Sequence, residues 1–483
     1  MTIKPLILAS TMLLASATAA PQLGTLKPQI NQEYQDQLNT ILDSLREVTG
    51  VPGFSVSAVH EGVLVGSATS GYADVQSQTP VNRNTLFRLA SVSKIVGATM
   101  LGELVTQDKL SADSSIGDFY PELNTKYHNI TLRELMSHTS GMPHYQTKDY
   151  DIYDKHYTSA IQALETLKER DLLTRPGYEY HYSTHGFTLA GAILEKVVST
   201  PLPLALEQFN QRWTGAATPV AEDVRHLAPN TSSLYEITSN GSRVIKRGEK
   251  SYSILGAGML ATSDDLAQFG YRVLEKTYRN SLLESLLFTP AKTKNGTNVT
   301  YRDFDVGFGW RIGNDMHGRK VYHHAGATPG ARSILVIYPE HSLSIAFLSN
   351  SSWVSSIDKL AFALASLYLD KAKAIDYSAI NFRVKYGDDF FIGSTDCHKN
   401  KCALTDGKTE YSKWLNTFNK GATSISSWPI FSYLVKGSQR LLMINKVGIT
   451  SFDLRNGVFE TSIGKAQDYK IEIKPAGHQY NEL

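Results

Sequence analysis

Two groups of strand-like segments stand far apart in this chain and enclose a long helical stretch. The early group covers residues 53–75 and the late group covers residues 319–350, both rich in alternating and β-branched residues. Residues 91–290 between them have a mostly helical, loop-rich pattern. A single sheet can bury both groups only if the early and late strands lie side by side. This order constrains the fold more than any other feature of the sequence.

Helical patterns flank the strands on their outer sides. In residues 33–49, apolar side chains recur at helical spacing, namely Leu38, Ile41, Leu42 and Leu45. Gly50 and Pro52 then end this helix, and residues 355–373 have the pattern of a second, amphipathic one. We therefore predict an α+β fold in which one antiparallel sheet is flanked by the terminal helices. The helical stretch forms a separate all-α lobe, and the cleft between lobe and sheet is the natural place for a site.

The composition changes after residue 374. Short, aromatic-rich, alternating segments separated by Gly, Asn and Asp turns fill residues 375–483. We predict a β-rich accessory domain there, following a main domain that covers residues 20–374.

The overall charge excludes one class of partner. Of the 483 residues, 42% are apolar and 19% are charged, and the formal net charge is +2. Because no cluster of Lys and Arg resembles a nucleic-acid footprint, we expect no nucleic-acid partner.

The first nineteen residues have the pattern of a secretory signal peptide. Lys4 provides the positive start, residues 6–14 are apolar, and Ala17-Thr18-Ala19 forms a small-residue cleavage pattern. We predict cleavage after Ala19, with an uncleaved anchor as the alternative. No later stretch is long and apolar enough to span a bilayer, so we expect a mature protein without a membrane span, periplasmic or extracellular.

The chain has two cysteines, Cys397 and Cys402, separated by four residues. In an oxidising compartment this spacing favours a disulfide that closes the tip of a hairpin. A metal site that also used His398 would lack a fourth ligand nearby, and we predict no metal.

A Ser-x-x-Lys tetrapeptide occurs three times, at Ser91/Lys94, Ser356/Lys359 and Ser462/Lys465. The copy at residue 91 differs from the others in its context, because it follows the apolar segment 84–90 and opens a helix that looks buried. Residues three apart on a helix share a face, so Ser91 and Lys94 lie together at the positive helix end. We expect the Lys94 amine to be partly desolvated, which lowers its pKa.

Further motifs follow Ser91 in a fixed order. They are HTSGMP at residues 138–143, YST at 182–184, GAGMLATSDDLAQFG at 256–270, VGFGW at 306–310 and HHAGATPG at 323–330. In this order they resemble those of the penicillin-recognising serine hydrolases, and the resemblance covers roughly residues 35–370. Among these hydrolases, the resemblance is strongest to the branch of class C β-lactamases, D-amino-acid peptidases and related esterases. The YST segment is similar to that of the mitochondrial β-lactamase-like serine protease. The beta-lactamase/transpeptidase-like fold is thereby implied.

The resemblance implies a role for each matching residue. Ser91 matches the nucleophile that forms the acyl-enzyme, Lys94 the lysine that assists its deprotonation, and Tyr182 the tyrosine that acts as base or proton relay. A phenol near a cation loses its proton more readily, which suits that role. The oxyanion hole is implied to consist of the backbone N–H groups of Ser91 and Ala327.

The strand motif implies two more positions. Gly326 permits close approach of the substrate, and His324 donates a hydrogen bond or a modest positive charge. His323 should point to the other face of the sheet, since strand side chains alternate. His138 and Ser140 are interpreted as structural residues of a helix end and turn.

Two residues depart from the family pattern. Thr184 stands where the family has an asparagine that orients the substrate, and His324 stands where many members have a lysine. Recognition of a substrate carboxylate should therefore be weaker near neutral pH. We predict a peptidase or esterase, acting on a small peptide, an ester or a β-lactam-like substrate, rather than an antibiotic-resistance β-lactamase.

Other functions receive less support from the sequence. It contains neither the Gly-x-Ser-x-Gly of α/β-hydrolases nor the His-Glu-x-x-His of metalloproteases, and we predict no cofactor. The alternative is a catalytically silent relative that binds cell-wall peptide or a protein partner. The sequence leaves the oligomeric state open.

Overall fold

The computed structural model describes residues 28–146, 149, 154–167, 170–353 and 357–369. Beyond these it describes the backbone of strands between residues 373 and 475, together with the side chains of Leu442, Ile444 and Ile449. The predicted signal peptide (residues 1–19) and Ser356 lie outside the described residues.

The main sheet joins the early and late strands as predicted. It has nine strands in the order β3-β2-β1-β14-β13-β12-β11-β10-β9, with all neighbours antiparallel. The central contact pairs Phe54 of β1 with Ser349 of β14 and His60 with Leu343. The strands are β1 (Gly53–His60), β2 (Val63–Asp74), β3 (Thr79–Pro80), β9 (Thr300–Tyr301), β10 (Phe304–Val306), β11 (Arg311–Asn314), β12 (Lys320–Thr328), β13 (Ala331–Tyr338) and β14 (Leu343–Ser349).

Helices cover both faces of this sheet. In chain order they are α1 (Gln32–Thr49), α2 (Ser93–Thr106), α3 (Ile116–Phe119), α4 (Leu132–Met136), α5 (Ala160–Ala163), α6 (Thr184–Val198), α7 (Leu202–Trp213), α8 (Ile254–Ala257), α9 (Ser263–Arg279), α10 (Ser281–Phe288) and α11 (Ile357–Leu369). The predicted first helix is confirmed, because α1 buries its apolar stripe and ends at Gly50, whose φ is 72°. The predicted helix near residue 360 is confirmed as α11.

Alternate residues of the central strands feed two separate cores. Leu335 and Ile337 of β13 pack with the helical lobe, including α2, α6 and α9. Ile334 and Val336 of the same strand pack with α1 and α11 on the opposite face. This alternation follows from the period of two in a β-strand, and it confirms the predicted α+β arrangement.

Two details of the prediction were wrong. The lobe is not all-α, because it includes a small sheet of β4 (Phe87–Arg88), β8 (Met259–Ala261) and β5 (Val220–Ala221), and a hairpin of β6 (Tyr235–Thr238) and β7 (Gly241–Val244). The main sheet also continues into β9, β10 and β11, which were not predicted. These strands have only two to four residues, too few to show an alternating pattern.

The strands of the C-terminal segment form a closed ring. Each strand from β16 to β23 pairs with the next in antiparallel fashion, and β23 pairs back with β16. The strands are β15 (Lys373–Ile375), β16 (Ala379–Tyr386), β17 (Asp389–His398), β18 (Lys401–Leu404), β19 (Trp428–Val435), β20 (Ser438–Asn445), β21 (Gly448–Arg455), β22 (Val458–Ser462) and β23 (Tyr469–Pro475), of which β15 lies outside the ring on β19. Leu442, Ile444 and Ile449 are buried in the core that contains α1 and α11.

Among the described residues, no single helix is long and apolar enough to cross a membrane. The bent pair of α6 and α7, with an angle of 73° between them, meets the criteria of length and composition only when its two helices are taken together.

The ring brings the two cysteines into register. Cys397 of β17 is directly opposite Cys402 of β18. Opposite residues of an antiparallel pair have Cα atoms about 4.5–5.5 Å apart, within the range that a disulfide requires. We expect the protein folded under oxidising conditions to contain this bond, so that its intact mass without reductant is two hydrogens lower than after reduction. Two freely titrating thiols in the unreduced, unfolded protein would contradict the prediction.

Candidate active site

Ser91 lies in a strained turn at the start of a buried helix. A single 3₁₀ turn, Ala90–Val92, connects β4 to α2. Ala90 has a φ of 48°, a left-handed conformation that costs an alanine energy. Strain of this kind is retained where the surrounding structure fixes one residue in a particular position, here the half-exposed Ser91.

Lys94 is fully buried one helical turn after Ser91. Its Nζ lies 2.7 Å from the carbonyl oxygen of Gly256 and 3.0 Å from Oγ1 of Thr184. Nζ is also 3.4 Å from Oγ of Ser91. Burial holds the pKa of Lys94 well below its ordinary value, and the positive charges of Arg311 and Lys250 lower it further. The predicted direction of the pKa shift is therefore confirmed.

The three oxygen neighbours of Lys94 accommodate an ammonium group as well as an amine, and it is the lowered pKa of Lys94 that favours the neutral amine. A neutral amine has two N–H donors and one lone pair, whereas an ammonium group has three donors and no acceptor. The carbonyl oxygen of Gly256 can only accept, and it takes one proton. With the second proton directed at Thr184, the lone pair remains for the hydroxyl proton of Ser91.

Tyr182 lies beside this pair, immediately before α6. The Lys94 Nζ is 4.9 Å from the centre of its ring. Burial raises the pKa of Tyr182 to about 12, although Arg311 and hydrogen bonding with Ser91 act in the opposite direction. The nearby cation of Arg311 acts in the expected direction, but the cost of burying a phenolate outweighs it, so the net pKa rises rather than falls.

His138 supports the position of Tyr182 by packing against its ring and by bonding to the backbone of the next residue. It follows α4 with a φ of 60°, and its Nδ1 accepts the backbone N–H of Ser183 at 3.1 Å. Its ring centre is 4.4 Å from that of Tyr182. Ser140 accepts the N–H of Met142 at 3.3 Å within the turn. Both residues therefore act on the local structure, as their motif suggested.

The strand β12 forms the opposite wall of the site. The ring centre of His324 is 6.3 Å from that of Tyr182, whereas His323 contacts Phe304 and Phe362 on the other face. Burial, followed by the positive charge of Arg311, holds the pKa of His324 well below its ordinary value. His324 is therefore neutral near pH 7 and provides no positive charge.

Gly326 meets the backbone that carries the nucleophile. A Cβ at this position would collide with the carbonyl oxygen of Leu89 and the hydroxyl of Ser333, and it would lie 3.1 Å from the Ser91 nitrogen. Only glycine permits this approach. The next residue, Ala327, is exposed at the cleft end of β12.

Arg311 was not identified from the sequence. Its guanidinium lies 4.2 Å from the ring centre of Tyr301, and Tyr301 in turn lies 6.5 Å from Tyr182. Its charge lowers the pKa values of Lys94 and His324. Among the residues that the structure describes, Arg311 has no carboxylate partner. The only signal in the sequence was its place directly after VGFGW, one of the quoted motifs.

Comparison with known proteins identifies the family of this chain. The family model described as Beta-lactamase matches residues 38–365. Penicillin-binding protein 4* of Bacillus subtilis (strain 168) is 24% identical over 346 residues, covering 66% of this chain and 73% of that protein. Serine beta-lactamase-like protein LACTB, mitochondrial, of Homo sapiens is 24% identical over 414 residues, covering 67% of this chain and 74% of that protein.

A solved structure of a class C beta-lactamase shows the same fold. It superimposes with a TM-score of 0.58 at 19% sequence identity, covering 71% of this chain and 98% of that one. The chain belongs to the beta-lactamase family of serine hydrolases.

Proposed function

We propose that this protein is an exported serine hydrolase that cleaves an amide or ester bond through an acyl-enzyme on Ser91. The observation that carries the proposal is the buried Lys94 amine, 3.4 Å from the Ser91 hydroxyl and with its N–H donors directed at Gly256 and Thr184. A serine hydroxyl is a weak nucleophile unless a neighbouring base takes its proton.

Lys94 is the base in the first step. Oγ of Ser91 attacks the substrate carbonyl while its proton passes to the Lys94 lone pair, which becomes an ammonium. The backbone N–H groups of Ser91 and Ala327 stabilise the negative carbonyl oxygen of the tetrahedral intermediate.

Tyr182 is the acid that completes acylation. Its raised pKa keeps the phenol protonated at neutral pH, so it can give its proton to the leaving amine or alcohol. Lys94 then returns a proton to Tyr182, and the acyl group remains on Ser91. Water releases the acyl group by the same steps in reverse.

Arg311 provides the charge that His324 lacks. A neutral histidine cannot form an ion pair with a carboxylate, but the guanidinium of Arg311, which has no carboxylate partner among the described residues, can. We propose that the substrate is a small peptide, ester or β-lactam-like molecule with an anionic group, and that peptidase or esterase activity is favoured over antibiotic hydrolysis. Thr184 contacts Lys94 and leaves no carboxamide for an antibiotic side chain.

The first prediction concerns Ser91. A fluorophosphonate probe should add once to the wild type and not to Ser91→Ala, as measured by intact-protein mass spectrometry. Ser356→Ala, which alters the second Ser-x-x-Lys copy, serves as the matched control and should be labelled like the wild type. An unlabelled wild type would favour the alternative of a silent relative that binds a ligand through the same cleft.

The second prediction concerns pH. Because the base acts only when unprotonated, kcat/KM should fall as the pH drops through the pKa of Lys94, far below the ordinary lysine value of about 10.4. Lys94→Arg holds its proton at every accessible pH, so its kcat should be about 10²–10⁴-fold lower throughout. Lys359→Arg, on exposed α11 surface, should keep the wild-type profile. Full activity of Lys94→Arg at pH 7 would refute the assignment.

The third prediction concerns Arg311. Since a charge-assisted hydrogen bond contributes about 1.5–3 kcal/mol, Arg311→Ala should raise KM about ten- to a hundredfold for an anionic substrate. A neutral ester of the same shape should show little change. Arg279→Ala, an exposed arginine at the end of α9, is the control. Equal losses on both substrates would show that Arg311 supports the fold rather than the anion.

A further inference from the structure

Two histidines stand beside Tyr182 with opposite hydrogen-bonding character. His144 meets the Tyr182 ring edge-on, with centres 5.2 Å apart, and His324 lies 6.3 Å from it on the strand side. Neither takes part in the proton transfers described above. In each ring, one nitrogen is hydrogen-bonded to the backbone. The identity of its backbone partner shows whether that nitrogen carries the proton, and therefore whether the other nitrogen is a donor or an acceptor.

His144 presents a donor. Its Nδ1 lies 3.2 Å from the backbone nitrogen of Thr184. A backbone N–H can only donate, so Nδ1 is the acceptor and the ring proton sits on Nε2. Burial lowers the pKa of His144 to about 3, so the ring is neutral at neutral pH. Among the described residues, Nε2 has no partner, and the ring is half-exposed.

His324 presents an acceptor. Its Nδ1 lies 2.7 Å from the carbonyl oxygen of Ala325. A carbonyl oxygen can only accept, so Nδ1 carries the proton and Nε2 keeps a lone pair. Nε2 likewise has no partner in the described part of the chain.

A donor on His144 and an acceptor on His324 match the two polar groups of an amide, its carbonyl oxygen and its N–H. We propose that His144 and His324 recognise an amide group next to the scissile bond, its carbonyl oxygen accepting from Nε2 of His144 and its N–H donating to Nε2 of His324. The inference rests on the proposed function, and it selects acylamino substrates, such as peptides, over simple alkyl esters. A lone ester group lacks the donor, and an ammonium group lacks the acceptor.

His144 replaces part of what Thr184 does not provide. The Thr184 hydroxyl is directed at Lys94, and its backbone N–H is bonded to His144. Thr184 thus engages its hydroxyl with the lysine and its N–H with the imidazole. Nε2 of His144 remains as a donor for which the described residues provide no partner.

The test compares two nitrophenyl esters of the same shape, one with an acetamido group beside the scissile carbonyl and one with an alkyl group instead, each as both enantiomers. His144→Asn is the informative variant, because its side-chain oxygen can still accept the Thr184 N–H while the Nε2–H donor is lost. The kcat/KM for the acetamido ester should fall about ten- to a hundredfold, and clearly less for the alkyl ester. His128→Asn, a histidine bonded to Leu123 away from the cleft, controls for the substitution itself.

A third ester tests the acceptor. Methylating the acetamido nitrogen removes the N–H, so it should slow the wild type about tenfold but have little further effect on His324→Asn. An unchanged preference between acetamido and alkyl esters in His144→Asn would overturn the inference. So would equal losses on both esters, which indicate a purely structural histidine. If the wild-type protein hydrolyses neither ester and is not labelled by the fluorophosphonate, the proposed function itself is overturned. This result differs from the two outcomes above, in which the wild type remains active.

Discussion

The removal of Lys94 from water is the constraint on which the rest of the site depends. A buried ammonium without a carboxylate partner is costly, and no described carboxylate lies within ion-pair distance of Nζ. Burial accordingly holds the pKa of Lys94 well below its ordinary value, which favours the neutral amine. Its two protons are then fixed by Gly256 and Thr184. In the proposed mechanism, the lone pair of this amine is left to accept the proton of Ser91.

The site is assembled from rigid parts of both halves of the main domain. Ser91 lies in the 3₁₀ turn that leads into α2, and Lys94 lies in α2, which is buried along most of its length. Thr184 is the first residue of α6 and Tyr182 lies two residues before it, whereas His324 and Gly326 lie on β12. Residues of α2, α6 and β12 pack in the same core. Because a close-packed core resists displacement of its parts, the spacing of these three elements is held constant. The geometry between the reacting atoms is thus set before a substrate arrives.

The sequence predicted features that depend on local pattern and motif. The four apolar residues of α1, the strands β1 and β2, the pairing of early with late strands and the buried Lys94 all agree with the structure. The strands β9–β11 are too short to have a pattern. Arg311 is one arginine among many until the sheet brings it near Tyr301. The pKa of Tyr182 depends on how completely the ring is enclosed, and the tautomers of His144 and His324 depend on which backbone atom each meets, so none of these could be read from residue type.

The edges of the two large sheets affect how readily strands of this chain could pair with strands they should not join. Both outermost strands of the main sheet, β3 and β9, are only two residues long, and β16 to β23 leave no open end within their ring. An exposed strand edge is a template onto which another chain can add. Within its described strands, this protein carries two extensive sheets with very little such template. Neighbouring molecules, or the two sheets of one half-folded molecule, therefore have few places at which to join by backbone hydrogen bonds.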